Sequence, residues 1–331
     1  MTSLMEQEAR EVPARIRQQL HSNADRLTAL CAQLRATPPR LLMIIGRGSS
    51  DHAGVFAKYL LEIETGIPVC AAAPAVATVY QRTLKLEGAL VLVISQSGRS
   101  PDIVLQAKQA KAGGAYVVAL VNDEQSPLAA CADFVLPVAA GPERSVAATK
   151  SFLCTLTALL QLTALWTQNK VLADALQQLP EQLEQVLQQP TQLPPAALRG
   201  LQHLIVLGRG PGFAIAKEMA LKLKEVCSLH AEAFSSAEFL HGPAALVQNA
   251  LTIINVAVAD EAARVHQQQI DEMHQRGAQV LTLTQTLTDC HPRLAPLLLL
   301  QRFYVDVAQA ALALGRNPDQ PLGLKKITET L

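Results

Sequence analysis

Two distant stretches of the chain nearly coincide: LMIIGRG at 42–48 and LIVLGRG at 204–210. Each is a four-residue apolar run that stops at Gly-Arg-Gly. An apolar run without polar alternation suits a strand buried on both faces, as in a parallel sheet covered by helices. The alternation of strand and helix continues around both copies. LLMII (41–45), a short run after Gly66-Ile67-Pro68, ALVLVI (89–94), AYVVAL (115–120) and FVLPV (134–138) make a set of five. LTIINVAV (251–258) and AQVLTLT (278–284) follow the second Gly-Arg-Gly. The pattern predicts an α/β fold made by duplication, each half a five-stranded parallel sheet with helices on both faces.

The remaining chain fits around these halves. Residues 1–36 read as an N-terminal helical segment, stopped before Pro38-Pro39. The first α/β domain then takes 37–170, a glutamine-rich helical linker 171–198, and the second domain 199–331. With 331 residues, half of them hydrophobic, the chain can bury cores of that size. Lys+Arg and Asp+Glu are equal at 28 each and no basic run occurs, which argues against nucleic acid as a partner. The uncharged stretch SFLCTLTALLQLTALWTQN (151–169) is broken by Thr, Gln and Asn, so a buried helix is expected rather than a membrane span. The N-terminus is charged from its sixth residue and has no apolar run, so no signal peptide is expected. The six cysteines (Cys31, Cys70, Cys131, Cys154, Cys227, Cys290) form no C-x-x-C pair. They read as reduced core residues of a cytoplasmic protein, with no metal site.

The stretch VISQSGRSPD (93–102) places Ser95, Ser97 and Ser100 at the end of a buried strand. In a parallel α/β sheet, ligands bind beyond the C-terminal strand ends, near helix N-termini. Pro101 suits the first helical position, which makes Ser100 the N-cap. Orphan N–H groups and serine hydroxyls there can cradle a phosphate. Capping alone, worth about 1 kcal/mol, would account for Ser100 but not for Ser95 and Ser97. A second hydroxyl pair, Ser49-Ser50, follows the first strand in GRGSSD. Other phosphate motifs are missing: there is no G-x-x-x-x-G-K-[ST], and neither GRGSSD nor GRGPGF has the third glycine of a dinucleotide fingerprint.

Titratable side chains crowd residues 217–243, KEMALKLKEVCSLHAEAFSSAEFLHGP. Lys222 and Glu225 are three apart and share a helix face, which also suits an ordinary solvated surface with pairs worth about 0.3 kcal/mol each. SLHAEAFSSAEFLHGP (228–243) follows neither a helical nor a strand period and reads as a functional loop. A proton shuttled between adjacent sugar carbons needs a carboxylate, and ring opening needs a second acid/base near neutral pH. Glu225 and His241 are candidates for the two.

Together these segments resemble the tandem sugar isomerase (SIS) domain family, whose flavodoxin-like domains come in pairs. They are particularly similar to the isomerase half of glutamine–fructose-6-phosphate transaminase. The carriers are MEQEAREVP, GRGSSD, SQSGRSPD, SVAATKSF, LGRGPGFAIAKEMALKLKEVCSLHAEAF, AEFLHGP and DQPLGLKKITETL, in that order along nearly the whole chain. The resemblance implies that Ser49, Ser50, Ser95, Gln96, Ser97 and Ser100 bind a sugar 6-phosphate, and that the backbone of Val146 and Ala147 lines the sugar. Glu225 corresponds to the base moving a proton between C1 and C2, Lys222 to the lysine beside it, and His241 to the ring-opening histidine, which in the family comes from the partner subunit. Lys326 corresponds to the lysine of the C-terminal catalytic loop. No cofactor or metal is implied; a homodimer with a shared site is.

Departures from the synthase pattern also carry an expectation. Arg99 stands where an acidic residue follows SQSG, Ala148 replaces a serine, and the ending KKITETL differs. No glutaminase domain with its nucleophilic cysteine precedes the isomerase part, so no ammonia from glutamine is expected. The resemblance is then to a stand-alone glucosamine-6-phosphate deaminase, giving fructose 6-phosphate and ammonia. Two alternatives share its acid/base set: an aldose–ketose isomerase and a fructosamine-6-phosphate deglycase. A phosphosugar sensor without turnover is the third.

Overall fold

The structure is a computed structural model that describes residues 2–249 and 251–326. The chain divides into two compact units. The first-sheet unit comprises Ala14–Glu143, Lys150–Gln177 and Lys325–Leu331, and the second-sheet unit Met1–Pro13, Arg144–Thr149 and Gln178–Leu324. Residues 327–331 of the KKITETL ending lie outside the described residues.

The first-sheet unit is built on five parallel strands: β1 (Leu41–Ile45), β2 (Val69–Ala71), β3 (Ala89–Ser95), β4 (Tyr116–Val121) and β5 (Phe134–Pro137). Their order is β2-β1-β3-β4-β5. β3 is buried at every position, as a continuous apolar run in a covered parallel sheet should be. The chain runs from β1 to β2 on one side, then crosses to β3 on the other. That reversal makes the crevice beyond β1 and β3 the natural ligand site of the sheet. In the register Ile45↔Val93, β3 runs two residues past the end of β1, to Ser95. The helix Lys150–Trp166 packs against the helices Ser49–Thr65 and Ala24–Ala36 and is buried everywhere except Leu165; it covers most of the uncharged stretch 151–169 read as a core helix. Among the described residues no helix is long and apolar enough to cross a membrane.

The second-sheet unit has β6 (His203–Gly208), β7 (His230–Ser235), β8 (Thr252–Ala257) and β9 (Gln279–Thr284), all parallel, in the order β7-β6-β8-β9. Its described strands number four, where duplication predicted five. After β9 the chain passes into the buried helix Ala295–Ala313 instead of a further strand. β7 also corrects an expectation, since 230–235 was read as part of an aperiodic loop. It is an edge strand, hydrogen-bonded only to β6, and only Ala231 of its residues is buried. An edge strand tolerates polar side chains on both faces, which removes the periodic signal.

The N-terminal segment is helical as expected, in three pieces: Leu4–Arg10, Val12–Ser22 and Ala24–Ala36. The first belongs to the second-sheet unit, where Asp319 accepts hydrogen bonds from the Leu4 and Met5 N–H groups at 2.9 and 2.8 Å. All six cysteines are unbridged; Cys31, Cys154 and Cys227 are buried and Cys70, Cys131 and Cys290 half-buried. Burial pushes the Cys31 thiol up to about 11 and Cys227 to about 12, so both stay protonated packing groups.

Candidate active site

In the first-sheet unit, both hydroxyl-rich loops fall at the β1/β3 reversal. Gly46-Arg47-Gly48 leaves β1 and leads into the helix Ser49–Thr65, whose first residues are Ser49 and Ser50. Gly48 adopts φ 54°, a conformation that suits glycine and turns the chain sharply into the helix. The second loop, Gln96 to Ser100, leaves β3 and leads into the helix Pro101–Ala112. Ser95 is buried, and its Oγ accepts the Gly98 N–H at 3.1 Å; Ser97 Oγ accepts the Arg99 N–H at 3.3 Å. These bonds curl the loop over the strand end. Gly98 has φ 63°, and a Cβ there would stand 2.2 Å from Ser126 Oγ. Ser100 is the N-cap by backbone geometry, yet its side chain makes no capping bond. Capping therefore accounts for none of the three hydroxyls.

Charge around the loops is already arranged. Arg47 Nε lies 2.9 Å from the buried Asp102 Oδ2, and Arg99 Nη2 lies 2.6 Å from Asp123 Oδ2. The Arg99 hydrogen bond holds the Asp123 carboxyl below its ordinary range. The corresponding reversal of the second sheet lies beyond β6 and β8, and its β8 loop carries Asp260 and Glu261 in place of serines. Asp260 is raised by burial, while the Arg293 fork at 2.8 and 2.9 Å lowers Glu261 to about 2. An acidic strand end does not favour an anion. The β3 and β8 loops thus differ in character although the fold is duplicated.

Within the same unit, Lys326 Nζ lies 2.9 Å from Glu143 Oε2. Glu143 is buried, and its two oxygens also accept the Ser151 N–H at 3.0 Å and hydroxyl at 2.7 Å. Burial alone would raise this carboxyl, but the Lys326 ammonium and the two Ser151 bonds outweigh it and lower it. Glu143 was not foreseen as the partner of Lys326, because 183 residues separate them.

In the second-sheet unit, the helix Pro211–Cys227 places Glu218, Lys222 and Glu225 on one face. Lys222 Nζ lies 2.5 Å from Glu225 Oε2 and 3.4 Å from Glu218 Oε1. The solvated-surface reading of this face does not hold: Glu218 and Lys222 are both 0% exposed. Glu225 alone of the three is partly exposed, its side chain retaining 20% of its surface. Burial would lower the Lys222 amine, but Glu218 and Glu225 outweigh it and raise it, so the ammonium is kept charged. Tyr304, on the helix Ala295–Ala313, donates its hydroxyl to Glu218 Oε1 at 3.2 Å. Glu218 and Tyr304 were missed as parts of the site; the i, i+4 spacing of Glu218 to Lys222 was visible, but its burial was not.

His241 ends a single helical turn that begins with Ser236–Phe239. Leu240 N–H donates to Ala237 O at 3.2 Å and His241 N–H to Glu238 O at 2.9 Å, so the turn runs unbroken to the histidine. Ser236 and Phe239 are buried, whereas Glu238 and His241 are exposed. Val146 and Ala147 lie in the same unit. Ala147 is fully buried, and the Val146 N–H is taken by Asp319 O at 3.0 Å, so it is not available to a ligand.

Known proteins with the same features bear on this arrangement. The family model described as the SIS domain matches residues 38–165 and 197–297. A glutamine–fructose-6-phosphate aminotransferase (isomerizing) of Symbiobacterium thermophilum is 32% identical over 97% of this chain and 58% of its own length. The chain thus spans between half and three-fifths of such relatives. A crystal structure from Silicibacter pomeroyi, provisionally named a phosphosugar isomerase, superposes with a TM-score of 0.89 at 38% identity, covering 96% of this chain and 100% of the other. The C-terminal domain of the Francisella tularensis glucosamine-fructose-6-phosphate aminotransferase gives 0.84 at 25% identity, over 97% and 99%.

Proposed function

The chain belongs to the SIS domain family, and from that premise we propose that it performs the proton transfer of a phosphosugar isomerase. The observation that carries this reading is the trio on the Pro211–Cys227 helix. A buried ammonium, Lys222, is bonded to a carboxylate, Glu225, that still reaches solvent. Such a carboxylate can take a proton from carbon and give it back without leaving its place. On this reading Ser49, Ser50, Ser95, Gln96, Ser97 and Ser100 bind the 6-phosphate.

The specific reaction proposed is deamination of glucosamine 6-phosphate. His241 assists opening of the pyranose ring. Glu225 removes the C2 proton of the open-chain amino aldose and returns it to C1. The carbonyl becomes a hydroxyl-bearing carbon, and the amine at C2 becomes an imine. Water then adds to the C2=N bond and ammonia leaves, giving fructose 6-phosphate. One water is consumed per ammonia released. Lys222 holds Glu225 in line, and Lys326, at present on Glu143, is the cation for the open-chain oxygen or nitrogen. The protein works as a homodimer on this reading, with His241 serving the partner's site, and activity should fall on dilution as the dimer separates.

Ammonia release from glucosamine 6-phosphate tests the proposal, with fructose 6-phosphate assayed in the same tube. Equal amounts of both support it. No ammonia, together with interconversion of a ketose and an aldose 6-phosphate, would shift the assignment to a simple isomerase. That second reading is favoured by the 38% identity to the Silicibacter protein. Protection by sugar phosphates against heat without any turnover would leave only a binding role.

A further inference from the structure

His241 reaches its place through a turn whose inner face is held by a chain of polar side chains centred on the buried Ser236 and His266. His266, on the helix Ala263–Gln275, is 3% exposed. Its Nδ1 lies 2.9 Å from Ser236 Oγ and its Nε2 lies 2.7 Å from Asn255 Oδ1 on β8. Asn255 Nδ2 in turn donates to Thr282 Oγ1 on β9 at 3.2 Å. Gln269, one turn beyond His266, meets Ser236 Oγ at 2.5 Å. Ser236 is thus tied to two strands and a helix, while Phe239, three residues on, is fully buried in the core of this unit beside Phe234.

Ser236 Oγ donates to Gln269 Oε1, so the hydroxyl is held by two residues of one helix, His266 and Gln269. Burial, helped by the positive charge of Arg209, drives His266 down to about 4, so the ring is neutral near pH 7.

We propose that His266 is a positioning residue for His241: with Ser236 it sets the rotation of the turn that aims the exposed histidine. This rests on the reading in which His241 assists ring opening. The geometry makes the coupling direct, because Ser236 and Phe239 pin the inner side of one helical turn and Glu238 and His241 occupy its outer side. Releasing one of two pins leaves the turn in place and its rotation loose. A misplacement of about 1 Å at a reacting group can cost on the order of 100-fold in rate.

The test uses the full chain with glucosamine 6-phosphate and the variants His266→Ala, Ser236→Ala, Ser236→Thr and His241→Ala. His266→Ala and Ser236→Ala should each lower kcat about 10- to 100-fold with KM changed less than about 3-fold. Ser236→Thr keeps the hydroxyl and should restore most of the loss. The double variant His266→Ala/His241→Ala should be no slower than His241→Ala alone. Additive losses, or a kcat for His266→Ala that falls only with its folded fraction by circular dichroism, would overturn the proposal while leaving the role of His241 standing. Full turnover by His241→Ala would instead overturn both.

Discussion

The Lys222 ammonium stands 2.5 Å from Glu225 Oε2 and 3.4 Å from Glu218 Oε1, at a point where neither Lys222 nor Glu218 is exposed. Two carboxylates share one cation, and only Glu225 has an open side. Glu218 Oε1 also accepts the Tyr304 hydroxyl, so that oxygen is shared between Lys222 and Tyr304. The pattern separates a fully buried carboxylate from a partly exposed one on a single helix face.

Lys222→Met should therefore be among the most damaging single changes. It breaks the buried ion pair with Glu218, a loss worth about 3–5 kcal/mol. The matched double variant Glu218→Gln/Lys222→Met should recover much of that stability but no activity. Urea unfolding curves together with turnover would check both parts.

Glu225→Gln should keep the fold and lower turnover about 100- to 10,000-fold, the range for removing a general base. Binding of a sugar phosphate, read by its protection against heat, should survive. Exchange of the C2 proton with deuterated solvent should be lost in proportion to turnover. Retained exchange would take the role of base away from Glu225.

Gly98→Ala should harm the anion loop specifically. Its backbone has φ 63°, and the new Cβ would stand 2.2 Å from Ser126 Oγ, the group that caps the helix Pro127–Cys131. Strain of about 1–3 kcal/mol follows from such a forced conformation. The loop that carries Ser97 and Ser100 must then shift, so KM for the sugar phosphate should rise more than kcat falls. Steady-state kinetics would separate the two.

The His266 imidazole makes a pH prediction for stability. Its unfolded value is near 6.5 and its folded value about 4, because burial disfavours the charged ring. The folded form therefore resists a proton that the unfolded chain accepts. Stability is unaffected above about pH 6.5 and declines as the pH falls toward 4. At pH 5 the loss from this group is about 2 kcal/mol. Going from pH 7 to pH 5 should thus lower the melting temperature of the wild type more than that of His266→Asn. Equal shifts would show that His266 titrates normally.

Local chemistry was readable in the residues themselves. LLMII and ALVLVI announced buried parallel strands because a strand covered on both faces has no polar side to show, and β1 and β3 follow those runs closely. The serines of SQSGRS and GRGSSD lie at a strand end because Gly-rich turns and an N-terminal proline mark where strand gives way to helix. The three-residue spacing of Lys222 and Glu225 placed them on one face. Only the tertiary structure decided which of those faces is dry. It buried Glu218 against Tyr304 across 86 residues, and it paired Lys326 with Glu143 across 183. It made HAEAFS an edge strand and His266 the clamp of the His241 turn. The reason is one of range. Propensity and periodicity act over a few neighbours, whereas burial and charge pairing depend on which distant segments pack together, and no local window holds that information.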